Sequence, residues 1–283
     1  MTDQNSSRPD TTNEVLKHIP GAEPSSRIDA MWWMVAGVII LVVLLIVFSP
    51  DPFFDLVKFV GSGKFEENGI LITIFVTVVS FICVLIVGLI GGLGRLSKNR
   101  VINGIATLYV ELIRGIPLLV QLIWWYFAFP VIIQGLGEKL NISQLATYRA
   151  NAILMAVVGL TVCYSAYMSE IYRAGIQSIA KGQMEAARSL GMTYFQAMRY
   201  VIIPQAVRVI LPPVGNEFIA LLKDSSLVSV VAVTDLTRRS REYMSTHFNP
   251  IETWSMAALL YLVMTLLAAR LVNYLEKKTK YER

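Results

Sequence analysis

The sequence predicts an all-α fold, a polytopic bundle of helices that cross a membrane. Two observations carry this. Hydrophobic residues make up 55% of the 283 positions and charged residues only 16%, with a mean hydropathy of +0.57, outside the range of ordinary soluble domains. The apolar residues are also gathered into about six runs of roughly 18 or more, close to the length of helix that spans a hydrocarbon core.

Taken in order, residues 1–30 are polar and rich in Ser, Pro, Asp and Glu, which predicts a flexible tail. The run 31–49 is the first span. It does not read as a signal peptide, because the segment before it is long and acidic and no small-x-small site follows. Residues 51–68 form an external loop. The second span, 69–93, contains Gly88-x-x-x-Gly92, a spacing that lets helices approach closely. The third, 105–133, is expected to kink at Pro117, just after Gly115, and carries Trp124, Trp125 and Tyr126 as an interfacial belt. Spans 150–172, 207–233 and 254–273 complete the set. Cys83 and Cys163 both fall inside spans and read as small packing residues.

Charge sets the orientation. Arg95, Lys98 and Arg100 follow the second span, and Arg173, Lys181, Arg188, Arg199 and Arg208 lie between the fourth and fifth. The C-terminus holds Lys277, Lys278, Lys280 and Arg283. Alternation puts all three segments on one side, and the positive-inside rule makes that side cytoplasmic, with both termini there. Arg238, Arg239 and Arg241 dissent, falling on the outer side. The basic balance therefore reports membrane placement, and no nucleic acid partner is expected.

Between two apolar runs lies EAARSLGMTYFQAMRYVIIPQAV, starting at Glu185. Residues 183–190 favour a helix that Gly191 ends as a C′ glycine. Thr193 and Gln196 match a capping box for a second helix. Phe195, Met198 and Ile202 form a membrane-facing stripe on it, and Pro204 is expected to turn the chain toward the next span. The short helix should expose Glu185, Ala186, Ala187 and Leu190 to a partner.

Ionisable residues inside spans are site candidates. The fifth span holds Asn216, Glu217, Lys223, Asp224, Ser225 and Ser226 as a substrate pathway. Glu217, Ala220 and Asp224 share one face, and Asn216 with Lys223 lies on the next strip. Glu217 could hold a substrate ammonium, while Asn216 or hydroxyls serve a carboxylate. Glu111 and Arg114, at i, i+3, can pair near an inner gate, and Glu170 can pair with Arg173. No metal-ligand set is expected, since His18 and His247 lie far apart. No catalytic residue is expected either. The fragment GSGKF is not a phosphate loop, because that motif needs Gly at position 58 and Ser or Thr at 65, where Lys58 and Phe65 stand.

Glu185-Ala186-Ala187, Gly191 six positions after the Glu, and Val201, Ile203 and Pro204 together resemble the EAA motif of ATP-binding cassette importer permeases, with Val201 and Ile203 as apolar exchanges. ELIRGIPLLVQL from Glu111, YRAGIQSIAKGQMEAARSLG from Tyr172 and PQAVRVILPPVGNEFIALLKDSSLVSVV from Pro204 resemble the polar-amino-acid class (His/Glu/Gln/Arg/opine). The resemblance covers about 69–283 and implies a type I importer core of five spans, to which 31–49 is an addition. It assigns coupling to an ATPase to Glu185, Ala186, Ala187, Arg188, Leu190 and Gly191. It also implies two ATP-binding subunits carrying the ATP and Mg, with no cofactor on this chain. The remaining implied partners are a second permease subunit, a solute-binding protein and a polar amino acid, in a bacterial inner membrane. The domain organisation expected is a tail at 1–30, an added span and loop at 31–68, and a permease core at 69–283 with its EAA loop at about 173–206. An ion-gradient-driven secondary transporter is the alternative.

Overall fold

The computed structural model describes residues 50–279 and, before them, Gly37, Ile40, Val43, Leu44 and Val47, which are helical and belong to a separate unit. The expected tail at 1–30 and most of the span at 31–49 lie outside the described residues. No strand occurs among those described.

Where a loop is expected at 51–68, the chain forms helix α1, Pro50–Gly61. Phe53, Leu56 and Val60 recur at i, i+3 and i+7 and are buried to 1% exposure or less. Asp51 just before them, and Asp55 and Lys58 between them, hide this short amphipathic period in the sequence.

Two long helices form the centre. α2, Gly69–Arg95, is capped by Asn68, whose side chain accepts from the Leu71 N–H. Further along the chain, Ala152–Gln177 is capped by Asn151 in the same way. These helices pack along their length through the Gly88/Gly92 face, as expected. A methyl group at Gly88 would lie 2.6 Å from Met168 Cβ, and one at Gly92 2.8 Å from Tyr172 Cβ. Ile72, Val76, Val84, Leu160 and Met168 bury their side chains in this seam.

The third span departs from expectation. It is not one kinked helix over 105–133 but two: α3, Arg100–Arg114, and α4, Leu118–Leu140. Pro117 forces extended geometry on the residue before it and has no N–H to continue the ladder, so the chain breaks at 115–117. α3 is amphipathic. Its Tyr109 hydroxyl donates to the Val162 carbonyl at 2.7 Å, and Val101, Ile105, Leu108 and Leu112 face outward. The spanning segment is therefore α4, and Trp124–Tyr126 lie within it.

After Ala152–Gln177, designated α5, comes α6, Lys181–Ser189. Then α7 runs without interruption over 194–224, so Pro204 does not turn the chain as expected. A π turn at Met198–Ile202 precedes it, as another at Trp124–Ala128 precedes Pro130. Both π turns stop two residues before the proline. The wide turn accommodates the ring and the missing N–H that would otherwise break the helix at Tyr126 and Tyr200. The fifth span also ends sooner than expected. After Asp224 the chain tightens into a 3₁₀ segment, Ser225–Val231, followed by Ala232 at φ +63°.

α8, Leu236–His247, and α9, Pro250–Thr279, complete the unit. Asp235 caps α8, and the Leu236 N–H donates to Thr73 Oγ1 at 3.0 Å, tying α8 to α2. α2, α4, α5 and α9 are long and apolar enough to cross a membrane. α7 packs against α5 and α9 and carries the polar face.

Candidate functional site

Two places combine the sequence-derived candidates, and each is built differently. The first is the turn after α6. Gly191 takes φ +84°, which a side chain on Cβ disfavours. Its N–H donates to the Arg188 carbonyl at 3.0 Å, and the Met192 N–H to Ala187 at 3.2 Å. That pair of bonds is a Schellman motif. Two residues on, the Thr193 hydroxyl accepts from the Gln196 N–H while Gln196 Oε1 accepts from the Thr193 N–H, so the expected capping box is present.

Leu190 is 81% exposed at the tip, and Glu185, Ala186 and Arg188 are exposed beside it. Ala187 is not: it is 4% exposed and faces inward, where α6 lies against the π turn. The small side chain belongs to the inner contact of α6 rather than its open face. The stripe Phe195, Met198, Ile202 is also divided. Phe195 is 71% exposed and Ile202 only 5%, because the π turn shifts the helical phase between them.

The second place is a cavity of about 200 Å³ lined by Leu118, Cys163, Tyr164, Tyr167, Glu217 and Asp224. Glu217 and Asp224 share a face of α7, as the spacing predicts. The Tyr164 hydroxyl donates to Asp224 Oδ2 at 2.7 Å. Other pathway candidates stand apart from this cavity. Asn216 and Lys223 are exposed away from its lining, Ser226 is half-buried outside it, and Ser225 is buried with its hydroxyl donated to the Leu222 carbonyl.

Arg114 does not pair with Glu111. Its guanidinium lies 5.1 Å from the Tyr167 ring centroid, within Coulombic reach of Glu217. The break at 115–117 aims the end of α3 at the cavity. Gln121 staples that break: its Nε2 donates to the Ile113 and Ile116 carbonyls, both at 2.9 Å. Glu170 pairs with Arg173 as expected and also with Arg95 of α2, joining α2 to α5. Tyr164, Tyr167, Leu118 and Gln121 were not singled out from sequence. The available signal was a pair of tyrosines at i, i+3 inside a membrane-length span.

Membrane-length helices around a polar cavity define the class as a membrane permease. The chain belongs to the family described as the binding-protein-dependent transport system inner membrane component, whose model matches residues 84–281. It is 35% identical over 213 residues to the glutamine transport system permease protein GlnP of Escherichia coli K12, covering 75% of this chain and 92% of that one. To the arginine transport system permease protein ArgU of Corynebacterium glutamicum it is 39% identical over 210 residues, covering 72% and 65%. A crystal structure of an amino acid ABC transporter with histidines superimposes with a TM-score of 0.65 at 37% identity, over 83% of this chain and 97% of that one. The MetNI methionine transporter shares the fold, with a TM-score of 0.61 at 21% identity, over 76% and 96%. The chain is thus a multi-pass inner membrane permease subunit.

Proposed function

We propose that this subunit carries a polar amino acid inward and is powered by ATP hydrolysed on a separate subunit. Glu217 and Asp224 offer the substrate ammonium two carboxylates, and Arg114 offers its carboxylate a guanidinium. A zwitterion matches that arrangement of charges. Asn216 and Lys223, exposed on the adjacent strip of α7, are available to a second permease subunit, identical or homologous. Two ATP-binding subunits dock at the α6 turns, and ATP and Mg bind on those subunits, not on this chain. A solute-binding protein delivers the amino acid from outside. Both termini and the α6 turn are cytoplasmic, an orientation supported by the basic segments around Arg95, Arg173 and Lys277.

The observation that carries the coupling half of this reading is Leu190, 81% exposed on a turn fixed by two backbone bonds. A large apolar side chain presented on a turn fixed in advance is suited to fill a partner's cleft. The test is affinity purification of the intact complex with wild-type chain, Leu190→Asp and Glu185→Lys. An ATP-hydrolysing subunit should copurify with wild type and be depleted in both variants, while all three chains stay in the membrane. Equal recovery with all three would remove the docking role.

A further inference from the structure

Three arginines at the start of α8 lie opposite the basic segments, and the cavity at Glu217 does not use them. Two of them share one carboxylate. Glu242 Oε1 accepts from Arg238 Nε at 3.1 Å, and Oε2 from Arg239 at 3.0 Å. Asp235 cannot serve them: it is fully buried, and its oxygens accept from the Thr237 and Arg238 N–H groups and the Tyr261 hydroxyl. Arg239 has a structural place, donating to the Phe59 carbonyl with its guanidinium 4.1 Å from the Phe59 ring centroid.

The other two are less committed. Arg238 is held through Nε, which leaves its terminal nitrogens outside that pair. Arg241 is exposed and makes no ion pair or hydrogen bond to the described residues. One turn apart on α8, they line a cavity of about 430 Å³ with Ser229, Val230, Ala232 and Glu242. Ser229 and Val230 belong to the 3₁₀ segment that starts directly after Asp224. At about 2 Å per residue, Ser229 lies roughly 10 Å along that segment from Asp224. Ala232, at the rim, holds a left-handed backbone that costs about 1 kcal/mol or more for a residue with a Cβ.

The terminal nitrogens of Arg238 and the guanidinium of Arg241, in a concave site, match a planar carboxylate, which accepts two N–H bonds at once. Basic residues are also disfavoured on the outer side of a bilayer, so a cluster there calls for an anion. We propose that this cavity is an outer subsite for the α-carboxylate of the arriving amino acid, from which it moves along Ser225–Val231 to the Glu217/Asp224 cavity. The proposal rests on the import reading above. A carboxylate entering between Arg238 and Arg241 supplies the anion that Glu242 alone cannot.

The test uses the whole complex in phosphatidylcholine nanodiscs without binding protein. The rate of Arg241 and Arg238 modification by phenylglyoxal is read by mass spectrometry. Glutamine and arginine are the probes, with glutaminamide and argininamide as controls lacking the α-carboxylate. One or both amino acids should slow modification severalfold, and the amides should not. In proteoliposome uptake, Arg241→Gln should raise the half-saturating concentration about tenfold, the loss of one charge-assisted contact, and Arg241→Lys should restore part of it. Unchanged modification rates, equal protection by the amides, or protection only when binding protein is added would each overturn the subsite. In those cases ATP-driven uptake by the wild-type complex keeps the import reading intact. Failure of ATP-driven uptake of any amino acid would remove both.

Discussion

The α6 turn and the Glu217 cavity are built on opposite principles. The turn is assembled within a dozen residues: Gly191 supplies a left-handed backbone, Thr193 and Gln196 cap the next helix, and Leu190 projects from the result. The cavity draws on α4, α5 and α7, with side chains from Leu118 to Asp224. One is a shape fixed locally, with its exposed side chains set by a few neighbouring residues. The other is a cavity that exists only when three helices pack correctly. Docking should therefore respond to local substitutions alone, whereas substrate handling should respond to anything that moves α4, α5 or α7.

The largest effect that would separate the two regions is at Glu217. Glu217→Gln removes a half-buried carboxylate within Coulombic reach of the exposed Arg114, and with it the proposed charged contact to the substrate ammonium, so transport efficiency should fall about 100-fold. The ATPase should still copurify; its loss would show that the regions are not separable. Tyr164→Phe is next. It leaves Asp224 Oδ2 without its hydroxyl donor and should weaken apparent affinity about tenfold with little change in maximal rate. The saturation curve of uptake checks this. Gly191→Ala is milder, straining the turn by about 1 kcal/mol, with open space around the added methyl. ATPase recovery should fall about fivefold, with the half-saturating substrate concentration unchanged.

The last prediction concerns neither region and serves as a control. Burial lifts the Asp235 carboxyl from 3.8 to about 6, against the hydrogen bonds it accepts. Because the folded value is raised, the fold takes up a proton. That contribution is complete below about pH 4 and is lost as pH rises through about 6. Asp235→Asn keeps a capping oxygen and should flatten this dependence, an effect of order 1–3 kcal/mol. Thermal unfolding of the purified subunit between pH 4 and 7 measures it.

These contrasts also explain what the sequence reveals. The Schellman turn, the capping box, the Gly88/Gly92 seam and the shared face of Glu217 and Asp224 depend on spacings of a few residues, and each was legible. The fate of Pro117 and Pro204 was not. A proline inside an apolar run can break a helix, kink it or sit after a π turn, and the choice depends on packing elsewhere. Pro117 breaks the helix and redirects Arg114 from an inner pairing with Glu111 to the ring of Tyr167. Pro204 does not break it, so Ala187 and Ile202 turn inward where exposure was expected. Tyr164 and Tyr167 were missed because their polar tips matter only beside α7, some 60 residues away in sequence.

The central claim is that the α6 turn links a separate ATPase to transport through the Glu217 cavity. Its most direct test is uptake of radiolabelled glutamine and arginine into proteoliposomes containing the complex. Wild type and Leu190→Asp would be compared with ATP, without ATP, and under an imposed proton or sodium gradient. The account predicts uptake of at least one amino acid by wild type only with ATP, and none above background by Leu190→Asp. Uptake driven by an ion gradient without ATP, and unaffected by Leu190→Asp, would contradict it.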